Sequence, residues 1–306
     1  MSQHKHLSQV IEEFRKTISK IGTMPDTDFD IKFHETIWNI EKHFKHCPQN
    51  RKSLIDEFMS ATNSIFELSI MSNHSRTKPL GYAGDHQLID MIYQKAIAES
   101  EAGRKLDEFF HRQKAPTAVR NRKSFFINTF CELCDKRAEP SVLDIACGPC
   151  RDVAEAITHA GQRADGAMLH CIDMDPRAIS YAQDVVAPVR DVNIRLQATN
   201  AFRFRPSQRY DLVWSAGLFD YLEDNLAAVL LRKMWKATSE GGEVIVGNFH
   251  VSNPDRPWME WCGDWHLIHR TEDDMLHICR QAGIPVESVC FHYEPTGINM
   301  FLRILK

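Results

Sequence analysis

From residue 141 onward, short apolar segments alternate with segments of helical length and periodicity. The apolar segments predict five strands, at residues 141–146, 168–173, 192–198, 210–215 and 243–249. Helices are predicted at residues 152–160, from Pro176 onward, and at residues 225–237, the last capped by Gly241 and Gly242. Because strands that alternate with helices are joined by crossovers, the pattern predicts a parallel sheet with helices on both faces.

The end of the chain breaks this alternation. Residues 286–292 and 298–305 both resemble strands, and Pro295 and Gly297 lie in the short connection between them. So short a connection allows only an antiparallel hairpin. A parallel sheet that finishes in such a hairpin resembles the Rossmann-like α/β sheet of class I S-adenosylmethionine (SAM) methyltransferases, and it differs from the ending of a dinucleotide dehydrogenase.

The residues before the first strand have helical periodicity instead. Helices are predicted at residues 10–21, 30–46, 51–71, 86–99 and 117–137, with a loop at residues 72–85. The pattern changes at Glu139 and Pro140. The sequence therefore predicts an all-helical N-terminal or lid domain, residues 1–137, followed by a SAM-binding methyltransferase domain, residues 138–306.

Composition limits the class of protein and its compartment. The 306 residues are 43% hydrophobic and 25% charged, which are ordinary globular values, and the net charge of −4 does not favour a nucleic-acid partner. No apolar run approaches the roughly 18 residues of a membrane span, and the N-terminus has no apolar signal-peptide core. Nine cysteines without such a signal indicate reduced thiols in a cytoplasm.

Residues 142–152 resemble methyltransferase motif I, in which an acidic residue precedes alternating small residues. Asp144 matches the acidic position and Gly148 the central glycine, whereas Ala146 and Cys150 stand where glycines are more usual. Small residues let the backbone approach a ligand, and the following helix N-terminus adds N–H donors. The cofactor-binding residues predicted here are Asp144, Ala146, Cys147, Gly148 and Arg151.

Three later segments follow the methyltransferase order. Asp173 ends the second strand, where a carboxylate can accept both ribose hydroxyls, and Met174 follows it. Asp175 fits a helix cap better, because it precedes Pro176. The other predicted cofactor contacts are Asn200, Ala201 and Phe202 at the adenine and Ser215 and Ala216 in the motif IV loop beside the transferred methyl group.

Three other kinds of site are compatible with parts of this region. Cys147-Gly148-Pro149-Cys150 is also the thioredoxin redox tetrapeptide, although no tryptophan precedes it here. Together with Cys131 and Cys134 it mimics a four-cysteine zinc site, but the first pair falls on a predicted helix. The glycine pattern of NAD-binding turns is not met. The prediction is SAM as cofactor and no metal.

Several longer segments narrow the resemblance. They are residues 78–85, 89–93, 118–122, 247–249, 253–261 and 265–270. Over about residues 75–306 the chain resembles the bacterial family of extracellular-factor, 3-hydroxypalmitic acid methyl ester biosynthesis methyltransferases. The resemblance implies O-methylation of a fatty or other organic acid at its carboxyl group. A carboxylate acceptor needs no general base, because its pKa of about 4 leaves it ionised at neutral pH.

The resemblance also suggests residues around the acceptor. Tyr82, in the loop at residues 81–85, is predicted to contact the methionine part of SAM or the acceptor; alternatively the loop is a helix cap formed by Asp85. Arg120 is a candidate for the carboxylate of SAM and Arg122 for that of the acceptor, and a solvated helix face is the alternative.

The remaining candidates follow the fourth and fifth strands. Trp258, Trp261, Trp265 and Ile268 have the spacing of one helix stripe, which predicts either core or an apolar acceptor pocket with Trp258 and Trp265 in its wall. Further pocket candidates are Phe219 and Tyr221. His250 is the candidate general base for an alcohol, phenol or amine acceptor.

Other functions remain open from the sequence. The first prediction is a small carboxylic acid as acceptor, with base-assisted O- or N-methylation of another metabolite as the alternative. A nucleic-acid or protein methyltransferase and a non-catalytic SAM-binding scaffold were also considered. The helical region is predicted to close the active site and is a candidate contact for a homodimer.

Overall fold

The computed structural model describes residues 3–44, 50–189 and 192–306, and the chain forms two compact units. The helical unit comprises Met1–Thr117 and Pro254–His266, and the sheet unit comprises Ala118–Asn253 and Leu267–Lys306. The boundary therefore differs from the one predicted between residues 137 and 138. Most of the helix before the first strand belongs with the sheet, and a late segment belongs with the N-terminal helices.

The described helices and strands are as follows, in chain order. The helices are α1 (Gln3–Ile18), α2 (Asp26–Phe44), α3 (Arg51–Phe66), α4 (Ile70–Thr77), α5 (His86–Gln94), α6 (Glu101–Arg112), α7 (Lys114–Lys136), α8 (Arg151–Ala160), α9 (Pro176–Val186), α10 (Asp224–Ala237), α11 (Arg256–Gly263) and α12 (Glu272–Ala282). The strands are β1 (Ser141–Ile145), β2 (Met168–Asp173), β3 (Asn193–Ala198), β4 (Tyr210–Ser215), β5 (Thr238–Phe249), β6 (Val289–Tyr293) and β7 (Asn299–Leu305).

Aromatic packing holds the helical unit together. The ring of Phe14 on α1 lies 5.4 Å from Phe33 on α2 and 5.0 Å from Phe58 on α3. Trp261 on α11 lies 5.8 Å from Phe44 and 5.9 Å from Phe58. Ring pairs at these spacings add to the free energy of burying large apolar surfaces. This packing explains why α11, although late in the chain, belongs to the helical unit.

The sequence analysis did not predict α4 and α6 as separate helices. Both are held by hydrogen bonds to the buried carboxylate of Asp107. The helix predicted over residues 51–71 ends at Phe66, and Ser69, which accepts a hydrogen bond from the N–H of Ser72, begins α4. Residues 72–77 are therefore helical where a loop was predicted. The hydroxyl of Ser69 lies 2.5 Å from Asp107, which also accepts from the N–H of Ala98 at 2.8 Å. Asp107 lies on α6, a helix that the sequence analysis did not predict.

The remaining helix bounds differ by a few residues. α1 ends at Ile18, three residues before its predicted end, and α2 begins at Asp26 rather than at residue 30. The predicted end of α2 at residue 46 lies outside the described residues. α5 ends at Gln94 rather than at residue 99, because Lys95 adopts a left-handed conformation with φ of 53° and closes the helix. α7 begins at Lys114, three residues before its prediction.

The sheet confirms the predicted fold class. Its strand order is β3-β2-β1-β4-β5-β7-β6, and β1 to β5 pair in parallel. β7 pairs antiparallel with both β5 and β6, which is the predicted terminal hairpin. The chain reverses its direction of progress between β1 and β4. In open α/β sheets the carboxyl ends of the strands at such a point form the ligand-binding crevice.

Both faces of this sheet are covered by apolar clusters. Phe126 and Phe130 of α7 join α8 and α9 on one face, where Trp214 and Phe301 are buried. The ring of Phe125 stacks on Phe301 with 4.0 Å between centroids. α10 and α12 cover the opposite face. The two-sided burial agrees with the prediction of helices on both faces.

Several predicted bounds in the second half need correction. α10 ends at Ala237, and Gly241 and Gly242 lie within β5 instead of capping the helix. β6 begins at Val289, because residues Val286–Ser288 form a 3-10 turn. α11 ends at Gly263, and Asp264 is left-handed with φ of 46°. The predicted tryptophan stripe is therefore interrupted, and neither Trp265 nor Ile268 lies on that helix.

A fragment that starts at residue 138 tests the packing of α11. This fragment keeps Trp258 and Trp261 but lacks Phe44, Phe58 and Phe109, which surround them in the helical unit. We expect it to aggregate, because two large apolar rings lose their cover. Size-exclusion chromatography with light scattering gives the result, and a monodisperse, folded fragment would contradict this account of α11.

Candidate functional site

The turn after β1 has an alternating left-handed backbone. Ala146, Gly148 and Cys150 have φ of 59°, 55° and 53°. The two residues that carry a Cβ cost roughly 1–2 kcal/mol each in this region. At Ala146 and Cys150, where the sequence departs from the usual motif, the backbone thus has the conformation that favours glycine. Contacts with neighbouring residues must offset the strain of the turn.

One carboxylate supplies those contacts. Asp173, at the end of β2, accepts the N–H of Gly148 at 3.1 Å and the N–H of Asp175 at 2.9 Å. The N–H of Cys147 also donates to the carbonyl of Ile172 at 3.1 Å. The structure therefore gives Asp173 a role in holding the turn that the sequence did not predict.

Asp175 has the capping position proposed for it. Its side chain accepts the N–H of Arg177 at 2.9 Å, and Pro176 opens α9. The two neighbouring aspartates thus have separate tasks: Asp175 caps the helix, and Asp173 faces the turn.

Asp144 is a buried carboxyl group inside the turn. Burial raises its pKa well above the usual range, and the nearby Asp152 and Asp173 raise it further. Its Oδ2 has no hydrogen-bond partner among the described residues. A buried acceptor left unpaired costs about 1–3 kcal/mol, so this atom suits the ammonium group of an amino-acid ligand.

Three buried thiols lie against the same turn. Hydrogen bonds with Cys147 and Cys171, together with burial, raise the pKa of Cys150 well above its usual value. The ligand atoms of Asp144, Cys150 and Cys171 lie within 4.8 Å of one another, a spacing compatible with a metal ion. A thiol must lose its proton to bind a metal, and the raised pKa opposes that loss.

The adenine side of the predicted site lies at the ends of β2 and β3. Met174 is 71% exposed directly after β2, an unusual position for a large apolar side chain. The amide oxygen of Asn200 accepts the N–H of Phe202 at 2.8 Å, and the N–H of Thr199 donates to the carbonyl of Asp173 at 2.7 Å. The loop after β3 is thereby tied to the end of β2.

The loop after β4 approaches a buried arginine. Ser215 is buried and donates its hydroxyl to the carbonyl of Ile145 at 2.9 Å, so it links β4 to β1. Ala216 follows, and a Cβ at Gly217 would lie only 2.8 Å from Nη1 of Arg122. A side chain at this position would therefore require the guanidinium to shift.

Buried carboxyl groups flank Arg122. Burial raises the pKa of Asp152 to about 6 and that of Asp220 to about 7, although Arg122 lowers both. Asp220 also accepts the N–H of Phe249 at 2.7 Å. Desolvation therefore outweighs the attraction of the arginine: Asp220 is about half neutral near pH 7, whereas Asp152 is mostly ionised there.

Arg270 and Asn248 were missed as site residues. The buried guanidinium of Arg270 donates to the carbonyl of Phe219 at 2.7 Å, to Asn248 Oδ1 at 2.8 Å and to the carbonyl of Leu222. It fixes the segment after β4 against β5. The segment 265–270 is one of those that carry the family resemblance, but nothing in its sequence pattern shows that Arg270 is buried.

Residues predicted around the acceptor differ in their surroundings. Phe219 is fully buried in the core beside α10, so its ring offers no surface to an acceptor, whereas Tyr221 is exposed. Nδ1 of His250 lies 2.7 Å from the hydroxyl of Ser252, and its Nε2 lies 3.5 Å from Glu272. Both nitrogens of this candidate base therefore have partners within the sheet unit.

The remaining candidates lie on two helices and in a loop. Arg120 on α7 is half-buried, and burial lowers its pKa; Arg151 is the first residue of α8. Tyr82 lies in the helical unit and is exposed. Asp85 accepts the N–H groups of Gln87 and Leu88 at 3.0 Å each and so caps α5, while a contact of Tyr82 with SAM or the acceptor stays a prediction.

The two pocket tryptophans belong to the helical unit. The ring of Trp258 lies 5.2 Å from Phe110 and 6.1 Å from Phe109, and Trp265 is buried as well. Their surroundings fit the core alternative of the sequence analysis. Trp258 in particular has aromatic neighbours where an acceptor chain was predicted.

Comparison with known proteins identifies the sheet unit. Residues 142–242 match the family model of a methyltransferase domain, and no curated protein sequence matches the chain. A possible exported protein from Bordetella parapertussis is similar in structure over 100% of this chain and 99% of its own, with 16% identity and a TM-score of 0.61.

Two further solved structures are similar over part of their lengths. The N-methyltransferase NodS from Bradyrhizobium japonicum covers 60% of this chain and 96% of its own, with 17% identity and a TM-score of 0.42. Human N-acetylserotonin methyltransferase, in complex with SAM, covers 82% and 69%, with 15% identity and a TM-score of 0.48.

The fold and the domain match define the class of protein. A seven-stranded sheet with a terminal antiparallel hairpin, and a methyltransferase domain over residues 142–242, make this chain a SAM-dependent methyltransferase. Its cofactor is S-adenosylmethionine. The orphaned oxygen of Asp144 and the exposed Met174 fit the ammonium and adenine ends of that molecule.

The first prediction for this site separates the two neighbouring aspartates. Asp173→Ala removes an ionised acceptor for ribose and releases the turn, so SAM affinity should fall about 10- to 100-fold. Asp175→Ala, the matched control, should cost about 1 kcal/mol of folding stability while leaving SAM affinity nearly unchanged. Calorimetric titration and thermal unfolding measure both effects, and equal SAM affinities in the two variants would refute the assignment.

The second prediction concerns the thiol cluster. If the thiols only pack beneath the turn, Cys150→Ser should keep activity within a few-fold, and the purified protein should hold no metal. Elemental analysis by mass spectrometry provides the measurement. Stoichiometric zinc that disappears in Cys150→Ser would show instead that Asp144, Cys150 and Cys171 form a metal site.

Proposed function

We propose that this methyltransferase acts on a small organic acid and forms its methyl ester by direct transfer to the carboxylate. The observation that carries the proposal is the buried guanidinium of Arg122 next to the loop after β4. Arginine presents paired N–H donors that match a carboxylate. The resemblance to the fatty-acid methyl ester family supports the same acceptor class. The proposal covers organic acids of any acyl chain length.

Two buried acids lie near Arg122. Burial raises the pKa of Asp152 to about 6 and that of Asp220 to about 7, so protonation of Asp220 leaves more of the guanidinium charge for an acceptor as the pH falls through neutrality. An incoming carboxylate would gain a charge-assisted contact in a site of low dielectric. The exposed Tyr221 follows the same loop and is the remaining aromatic candidate for the wall of the acceptor site.

We assign the cofactor contacts to the turn and its neighbours. Asp144 would hold the ammonium group, Asp173 the ribose hydroxyls and Met174 the adenine, while Asn200, Ala201 and Phe202 complete the adenine side. The sulfonium of SAM supplies an already activated methyl group. The protein then has to align the carboxylate with that group and exclude water.

A base-assisted transfer is the second candidate, and one observation favours it. His250 lies 3.5 Å from Glu272, and the hydroxyl of Tyr293 donates to the same carboxylate. A carboxylate that orients a histidine is the usual support for a general base. In that case the acceptor would be an alcohol, a phenol or an amine.

The compartment that we propose is the cytoplasm. All cysteines of the described residues are free thiols, including the close pairs Cys131/Cys134 and Cys147/Cys150. Reduced thiols persist in a reducing compartment. None of the helices described has the length and apolar character that crossing a bilayer requires.

The pH profile tests the carboxylate proposal. A carboxylate is ionised above about pH 5.5, so the single-turnover rate at saturating acceptor should be nearly constant between about pH 6 and 8.5. His250→Ala should reduce that rate only modestly. A tenfold rise per pH unit, lost in His250→Ala with a fall on the order of 10²–10⁴, would establish base-assisted transfer instead.

Asp220 provides an internal control for that experiment. Its pKa of about 7 means that it ionises as the pH rises, and the new anion beside Arg122 competes with the acceptor. The KM for the acid should therefore increase above about pH 7, and Asp220→Asn should remove this increase. Ionisation of Asp220 weakens acceptor binding as the pH rises, whereas a general base makes the reaction faster. The same pH series therefore distinguishes the two groups.

A further inference from the structure

The helical unit carries a groove along the outer side of α2. Its volume is about 780 Å³, and all but one of its lining residues belong to α2. The lining comprises Asp26, Thr27, Asp30, Ile31, His34, Glu35, Trp38, Asn39 and Lys42, with Arg112 from α6. None of these residues was assigned to the cofactor or to the acceptor.

α2 is apolar on two sides. Phe29, Phe33 and Ile37 are buried in the helical unit, as expected for the inner face of an amphipathic helix. On the outer side, Ile31 is 55% exposed and Trp38 is 40% exposed. A helix with apolar residues on opposite sides is expected to be covered on both, and exposed apolar surface of this kind marks interaction sites.

The outer stripe has a two-fold pattern. At 3.6 residues per turn, six groove residues lie within roughly 50° of one line along the helix. They are Thr27, Ile31, His34, Glu35, Trp38 and Lys42. Their numbers pair to a constant sum: Thr27 with Lys42, Ile31 with Trp38, and His34 with Glu35.

Any stripe along a helix is symmetric about its midpoint in this way, so the pairing is informative only through the chemistry of the residues that an antiparallel contact would bring together. When two identical helices cross a two-fold axis, each residue faces the residue at the mirrored position on its partner. Ile31 would then meet the partner's Trp38, an apolar pair. Glu35 would meet the partner's His34, and Thr27 would meet the partner's Lys42. The Ile31–Trp38 and Thr27–Lys42 pairs are chemically compatible, whereas Nε2 of His34 already lies 2.7 Å from Oε1 of Gln113 in its own chain, so the central pair adds least to the contact.

The charges at the two ends of α2 also complement each other. At the N-terminal end Arg112 lies 2.9 Å from Asp30 and 3.4 Å from Asp26, so two carboxylates share one guanidinium and a negative charge remains. At the C-terminal end the stripe finishes with Lys42. An antiparallel arrangement brings this lysine to the partner's acidic end, and it also opposes the two helix dipoles favourably.

From this pattern we propose that the chain forms a two-fold dimer in which α2 pairs with α2 of a second copy. The dimer axis passes between His34 and Glu35. A contact confined mainly to one pair of helices is smaller than the about 1,600 Å² of a standard interface. The dimer should therefore be of moderate affinity and should depend on concentration.

A matched pair of variants tests the apolar centre of this contact. Ile31→Ser removes one member of each Ile31–Trp38 pair, whereas Ile97→Ser changes an isoleucine that is 47% exposed in the same unit outside the groove. Sedimentation velocity over a range of concentrations should show a dimer for the native chain and for Ile97→Ser. Ile31→Ser should raise the dissociation constant about tenfold or more.

A charge-swap experiment tests the antiparallel register. Thr27→Lys alone places a cation opposite the partner's Lys42, and Lys42→Glu alone places an anion opposite the partner's Asp26 and Asp30, so each variant should be monomeric. Mixed together they should form a heterodimer, because the introduced lysine meets the introduced glutamate. Mixing one tagged and one untagged variant lets the heterodimer be isolated and measured.

Three results would overturn the proposal. One is a native chain that remains monomeric at about 100 µM, which would leave the groove to a different occupant. Another is a dimer that Ile31→Ser and Ile97→Ser weaken equally. The last is a failure of the two charge variants to associate when each is folded by circular dichroism.

Discussion

The carboxylate of Asp173 holds the cofactor side of this protein together. Through Gly148 and Asp175 it ties the turn after β1 to the end of β2, and its own carbonyl receives the N–H of Thr199 from the next loop. These contacts offset a turn in which Ala146 and Cys150 adopt left-handed conformations. A residue that sequence analysis treats only as a ligand contact is thus also the reason that the binding loops keep their shape.

Electrostatics near the carboxyl ends of the strands is governed by desolvation. Asp144, Asp152 and Asp220 are buried, and each has a raised pKa even though Arg122 lies close to two of them. The permanent cation of Arg122 is therefore accompanied by acids whose ionisation changes near neutral pH. Its paired N–H donors, which match a carboxylate, are the reason that we propose an organic acid as the acceptor.

In the helical unit, the two sides of α2 have different roles. Its aromatic core takes in Trp258 and Trp261 of α11, so a segment from the end of the chain completes a domain built from the beginning. The inner face of α2 belongs to this core, whereas Ile31 and Trp38 face outward in a pattern with two-fold symmetry. The proposed dimer uses that second face and is independent of the methyltransferase assignment.

The sequence alone determined the class of fold, the succession of strands and helices along the chain and the position of the turn after the first strand, because these depend on local periodicity and on motifs a few residues long. It also separated Asp175 as a helix cap from Asp173. Only the tertiary structure decided the rest: the burial of Phe219, the anchoring role of Arg270 and the membership of α11 in the helical unit. Each of these depends on contacts between residues distant in the chain, and no local pattern records which side chains will meet when the chain is packed.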